Sequence, residues 1–150
     1  MVVGLFRNKF MANRRMLTLL VVAAHWIVAV GHLFLAARVL PAPNNHVSEL
    51  AVVLITLGHL VVSIALWWLS DKFAGLVSLI FFLLALSADL YEHFLHASAN
   101  NIFTVASGDW TARFDVSVFV LLALEIAGCS LGVLLLINRP RNSRQTKVVG

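Results

Sequence analysis

The stretch KFAGLVSLIFFLLALSADLYEHFLHA, residues 72–97, decides the fold. From Phe73 to Ala88 it holds no ionisable residue. A helix rises about 1.5 Å per residue, so a stretch of this length reaches across a hydrocarbon core of about 30 Å. Backbone N–H and C=O groups in lipid have no water to bond, so the segment must satisfy them internally as a helix. A β-barrel strand is shorter and alternates apolar with polar residues, which this stretch does not do.

Three further segments, at 16–40, 47–70 and 112–138, have the same character. Together the four predict an all-α integral membrane protein with a single domain, 1–150. Its expected architecture is a four-transmembrane-helix antiparallel up-down bundle. Composition agrees. The 150 residues are 61% hydrophobic and 12% charged, with mean hydropathy +0.93. A soluble domain is about 45–50% apolar and about 25% charged. A disordered chain and an ordinary soluble enzyme are therefore excluded. With Cys129 the sole cysteine, an intrachain disulfide and a cysteine zinc motif are excluded too.

Turn chemistry separates the segments. Pro41-Ala42-Pro43-Asn44-Asn45 ends the first, and Ser48 is placed to cap the second. Ser70-Asp71-Lys72 is so tight that the second and third segments must be antiparallel neighbours. Residues 98–111 form the one long connection. At the start, residues 2–11 read as a short interfacial helix anchored by Leu5, Phe6 and Phe10. The run 16–40 is long for the apolar core of a secretory signal, so it is expected to remain as the first span.

The formal net charge is +4. In a four-span chain, Arg7, Lys9, Arg14, Arg15, Lys72, Arg139, Arg141, Arg144 and Lys147 fall on one side, and Arg38 and Arg113 on the other. The positive-inside rule then places both termini in the cytoplasm, with the inner membrane of a bacterium or archaeon as the expected location. Trp67 and Trp68 fall at the inner interface and Trp110 at the outer one, as an aromatic belt requires. The cations flank apolar segments and do not interleave with stacking aromatics, so no nucleic-acid partner is expected. The expected partners are the lipid bilayer and other membrane subunits or further copies of the chain.

Ionisable groups inside the spans need a reason. A central charge costs about 2.5–3.5 kcal/mol on insertion scales. The chain nevertheless carries His25 and His32 in the first span, His59 in the second, Asp89, Glu92, His93 and His96 in the third, and Glu125 in the fourth. Helical rise sorts them into two tiers. The outer tier is His32, Asp89 and His93, with Glu92 and His96 at its mouth. The middle tier is His25, His59 and Glu125. His25 and His32 share a helix face, and residues 89, 92, 93 and 96 follow the i, i+3, i+4, i+7 pattern of one stripe. Glu125 shares a stripe with Gly128, Cys129 and Gly132, whose small side chains allow close helix approach.

Imidazole and carboxylate together suit a transition metal ion, here Cu, Zn or Fe. Asp89 and His93 lie one turn apart, and His32 completes the set. His25, His59 and Glu125 would form a second site or a proton path. Short loops leave no room for a separate catalytic domain. The primary expectation is therefore a membrane subunit of a redox or oxygenase-type complex. Three alternatives stand beside it. One is a di-haem b-type cytochrome with axial pairs His25/His59 and His32/His93. Another is a proton or metal-ion transporter, although no span is broken at the midplane by Gly or Pro. The last is a structural accessory subunit in which the tiers are interhelical glue. Glu92, His96, Glu49 and Asp115 also read as hydrated helix ends.

Overall fold

A computed structural model describes residues 2–40 and 49–137 of the chain. They form four helices: α1 (Val2–Val39), α2 (Glu49–Trp68), α3 (Asp71–Leu90) and α4 (Thr111–Leu136). A single π-helical turn, Tyr91–Leu95, prolongs α3. No strand occurs among the described residues. All four helices are long and apolar enough to cross a membrane, over Asn13–Val39, Glu49–Trp68, Asp71–Leu95 and Thr111–Leu136. Each boundary lies within three residues of the sequence expectation.

The first helix departs from expectation. Residues 2–11 do not form a separate interfacial helix but continue directly into the span, as one helix from Val2 to Val39. Nothing between them breaks a helix: Ala12, Asn13, Arg14 and Arg15 include neither proline nor glycine. The side chains of Leu5, Phe6 and Phe10 lie outside the described residues, as do the 41–48 connection with Ser48 and the basic tail from Asn138 onward.

Side-chain contacts tie the helix ends together. Arg15, near the start of the first span, donates from Nη1 to Leu66 O (2.9 Å) and from Nη2 to Leu69 O (2.9 Å). Its Nε donates to Asp71 Oδ1 at 2.6 Å. The last carbonyls of a helix have no intrahelical partner, and the planar guanidinium fork supplies donors for them. Arg14 does the same for Leu134 O of α4, at 3.0 Å. One end of the bundle thus gathers the start of the first span, the end of α2, the start of α3 and the end of α4. The opposite end carries the connection at 96–110.

The closest crossing is that of α3 with α4. A Cβ on Gly132 would stand 2.9 Å from Leu79 N and 3.1 Å from Gly75 O, so only glycine admits the two backbones at this distance. Gly128 faces Phe82 so closely that a Cβ would enter the ring. This is the small-residue stripe that carries Glu125, and its crossing fixes Glu125 against α3. Val22, Val62, Leu66, Ala74, Phe82 and Leu135 pack as a core toward the arginine end. Ala36, Phe114 and Val118 pack toward the loop end. Outward faces are apolar and exposed, including Leu57, Leu60, Ile64, Leu76 and Leu83, as contact with lipid requires.

The 96–110 connection is folded upon itself. Buried Asn101 donates Nδ2–H to His96 O (3.0 Å) and accepts from Phe103 N (2.9 Å), while its carbonyl accepts from Thr104 N and Val105 N. Ile102 and Val105 are held against the loop-end core. Above them, Trp110 lies beneath the guanidinium groups of Arg38 (5.8 Å) and Arg113 (4.8 Å).

Candidate functional site

Three helices bring the middle tier into direct contact. His25 of α1, His59 of α2 and Glu125 of α4 are all buried, Glu125 to 1% exposure. His25 Nδ1 stands 2.7 Å from His59 Nε2, and His25 Nε2 stands 3.2 Å from Glu125 Oε1. His59 Nδ1 lies 2.6 Å from Ile55 O, one turn earlier on its own helix. Phe81 and Phe82 of α3 wall the imidazoles edge-on, with centroids 4.9 Å from His59 and 5.4 Å from His25.

These contacts fix where protons sit. A carbonyl oxygen only accepts, so His59 Nδ1 carries the proton it donates to Ile55. In a neutral His59, Nε2 is then an acceptor, and His25 must donate from Nδ1. The remaining His25 Nε2 and Glu125 Oε1 share one proton between them, whichever of the two holds it. Asp89 of α3 borders the same cavity as Glu125, whose buried Oε2 has no hydrogen-bond partner.

Helical rise alone puts Asp89 in the outer tier with His32 and His93. In the fold it lines one cavity with His32, His93 and Glu125, since the Gly128/Gly132 crossing draws α4 against α3. His32 and His93 do meet, with ring centroids 4.9 Å apart at 80°. His93 donates Nδ1–H to Asn100 O at 2.8 Å. His32 Nδ1 lies 2.8 Å from Ser117 Oγ, whose own proton goes to Phe114 O at 2.6 Å. His32 is therefore the donor in that pair. Both histidines keep Nε2 as the lone-pair nitrogen. Phe114 packs against both rings.

The expected stripe of four on the third span is broken by the π-helical turn. His96 N bonds Tyr91 O at 2.7 Å, five residues back, and the extra residue in that turn rotates His96 away from His93. His93 is buried, whereas the Glu92 and His96 side chains are each 47% exposed, 3.5 Å apart, and His96 stacks on Tyr91. Glu92 still lines the cavity described next. Among the described residues, no three His, Cys, Asp or Glu side chains form a group able to hold a metal ion. The 2.7 Å between His25 Nδ1 and His59 Nε2 is a hydrogen bond. A metal bridging two imidazoles tetrahedrally, at about 2.0 Å from each nitrogen, needs the nitrogens roughly 3.3 Å apart.

Beside this chain lies a cavity of about 480 Å³. Its polar lining joins both tiers: His25, His59 and Glu125 below, His32, Asp89 and His93 above. Its apolar lining comes from α1, α2, α3 and α4. Sequence reasoning missed three positioning groups. Ser117 was legible, since it shares the buried stripe of α4 with Glu125, Gly128 and Gly132. The Ile55 and Asn100 carbonyls had no signal, because any residue supplies that oxygen. No protein family, curated protein or solved structure matches this chain.

Proposed function

We propose that the protein is a proton-exchanging membrane transport protein. It is read as an antiparallel four-helix bundle of an inner membrane, with both termini cytoplasmic as the basic residues require. Asp89 and Glu125 load and unload a proton beside the cavity. The observation that carries this reading is the hydrogen-bonded chain from Glu125 through His25 to His59, with Asp89 bordering the same cavity. Intramembrane carboxyl and imidazole groups in series are the material of proton relays.

The shape of the chain decides between conduction and exchange. At one end His59 gives its Nδ1–H to a backbone carbonyl, which passes no proton onward. At the other end Asp89 and Glu125 border the cavity. A proton therefore enters and leaves through the cavity, and any solute held there competes with it. Such competition couples the two. Infrared spectra of the protein in nanodiscs, titrated from acid to alkaline pH, test the reading. The expected result is a carboxylic acid C=O band that vanishes on alkalinisation and is missing in Glu125→Gln. Superimposable spectra of wild type, Glu125→Gln and Asp89→Asn at every pH would overturn it.

One observation favours a second reading, a metal-holding subunit of a redox or oxygenase-type assembly. His32 and His93 each donate Nδ1–H to an oxygen and keep Nε2 free, as metal-ligating histidines do. Copper, zinc or iron that survives a chelator wash and is lost in His93→Ala supports this reading. Equal metal content in wild type and variant removes it.

A further inference from the structure

The cavity is one-sided in its hydrogen-bonding capacity. His32 and His93 bring lone-pair Nε2 atoms, and Asp89, Glu92 and Glu125 bring carboxyls. Asn100 Oδ1 and Glu125 Oε2 are buried with no donor. Among the described residues, no lysine, arginine, hydroxyl, phenol or indole lines the space. Against three carboxyls and two imidazole lone pairs, the side-chain amide donor is that of Asn100, and there is no fixed cation, so an occupant that brings donors and a positive charge complements the lining best.

The rest of the lining is apolar and opens toward lipid. Leu54 of α2 and Leu84 of α3 both line the cavity while being 59% and 67% exposed on the outer face of the bundle. On the same side, α3 lines the cavity with the small side chains of Ala85 and Ala88. Below, Gly58 and Phe81 close the gap, so the opening between α2 and α3 lies on the loop side of that contact. Phe81 adds an aromatic ring beside the acceptors. A volume of about 480 Å³ falls within the range of roughly 300–1,000 Å³ usual for small-molecule sites.

We propose that this cavity binds an amphiphilic ammonium ion, a protonated amine on an apolar body, which enters from the bilayer between α2 and α3. The inference rests on the proton-exchange reading and names its second solute. One monovalent cation enters and one proton leaves the Asp89–Glu125 pair for water, so the charge of the site is unchanged. His32, His93 and Glu92 accept from the ammonium N–H groups. His25 and His59, already bonded to each other, hold Glu125 in place.

The probe is 2-phenylethylamine, added to the full chain in nanodiscs in weakly buffered solution with a pH dye, against empty nanodiscs. Saturable binding with release of one proton per amine is expected, and the neutral 3-phenylpropanol releases none. Ala88→Leu narrows the opening between α2 and α3 and should weaken amine binding roughly ten- to a hundredfold. Saturable binding without proton release, no saturable binding by wild type, or equal binding by Ala88→Leu would each overturn the proposal. Because the infrared titration uses no amine, its failure and the failure of amine binding are separate results.

Discussion

His59 donates its Nδ1–H to the carbonyl of Ile55 at 2.6 Å, one turn back on the same helix, and so turns its Nε2 toward His25. That one bond sets the direction of every donor up to Glu125. It also makes a tautomer prediction. In protein labelled with ¹⁵N at histidine, His59, His32 and His93 should each show a protonated Nδ1 and a bare Nε2 in the neutral state. A proton on Nε2 of His59 would reverse the chain and leave the Ile55 carbonyl facing a lone pair.

Glu125 should matter to stability less by its charge than by its hydrogen bonds. Glu125→Leu removes the partner of His25 Nε2 at a site with 1% exposure. Interhelical hydrogen bonds in membranes are worth about 0.6 kcal/mol on average and up to about 1.7. A loss of roughly that size is expected in unfolding by a denaturing detergent. Glu125→Gln keeps a donor for His25 and should retain most of the stability while abolishing the carboxyl titration. Equal destabilisation by Gln and Leu would show that volume, and not bonding, is what the position supplies.

The α3–α4 crossing predicts a contrast between two glycines. Gly132→Val must push the Leu79 and Gly75 backbones away, so the overpacking cost of about 1–3 kcal/mol is expected. A Cβ on Gly31 would meet nothing within 4 Å, so Gly31→Ala should be neutral or slightly stabilising through helix propensity. Thermal unfolding of both variants beside wild type makes the comparison. A Gly132→Val protein as stable as wild type would mean that the helices do not cross where Gly75 and Gly132 meet.

The spans were legible because hydropathy and bilayer thickness constrain them together: an apolar run such as 73–88 has few alternatives. The middle tier was legible for a similar reason, since helical rise gives depth from sequence number alone. His25, His59 and Glu125 indeed meet. Depth does not give distance across the bundle, so sequence alone does not show that Asp89 and Glu125 border one cavity. That depends on how closely α3 and α4 cross, a packing property set by Gly75, Gly128 and Gly132 jointly. The π-helical turn at Tyr91–Leu95 was illegible, because the i, i+3, i+4, i+7 pattern assumes a regular helix, and His96 leaves the stripe only through that turn. Arg15 is legible in sequence only as a charge, and its hydrogen bonds to α2 emerge only in the folded bundle.

Arg15 therefore offers a test of geometry against charge. Its guanidinium makes three hydrogen bonds, to Leu66 O, Leu69 O and Asp71 Oδ1, joining the first span to the end of α2 and the start of α3. The side chains of Arg15 and Asp71 are about a quarter exposed, so solvent screens much of their Coulomb attraction. Most of the effect should come from the carbonyl bonds, which leave α2 uncapped when lost. Arg15→Ala is expected to destabilise by about 1.5–3 kcal/mol in detergent unfolding, the range for hydrogen bonds to a charged group. Asp71→Asn should cost less, because both carbonyl bonds survive. Arg15→Lys keeps the charge for membrane orientation but cannot span three acceptors with one ammonium, so it should recover only part of the loss. If lysine restores full stability, the position serves as a cation alone and the α2 cap contributes nothing.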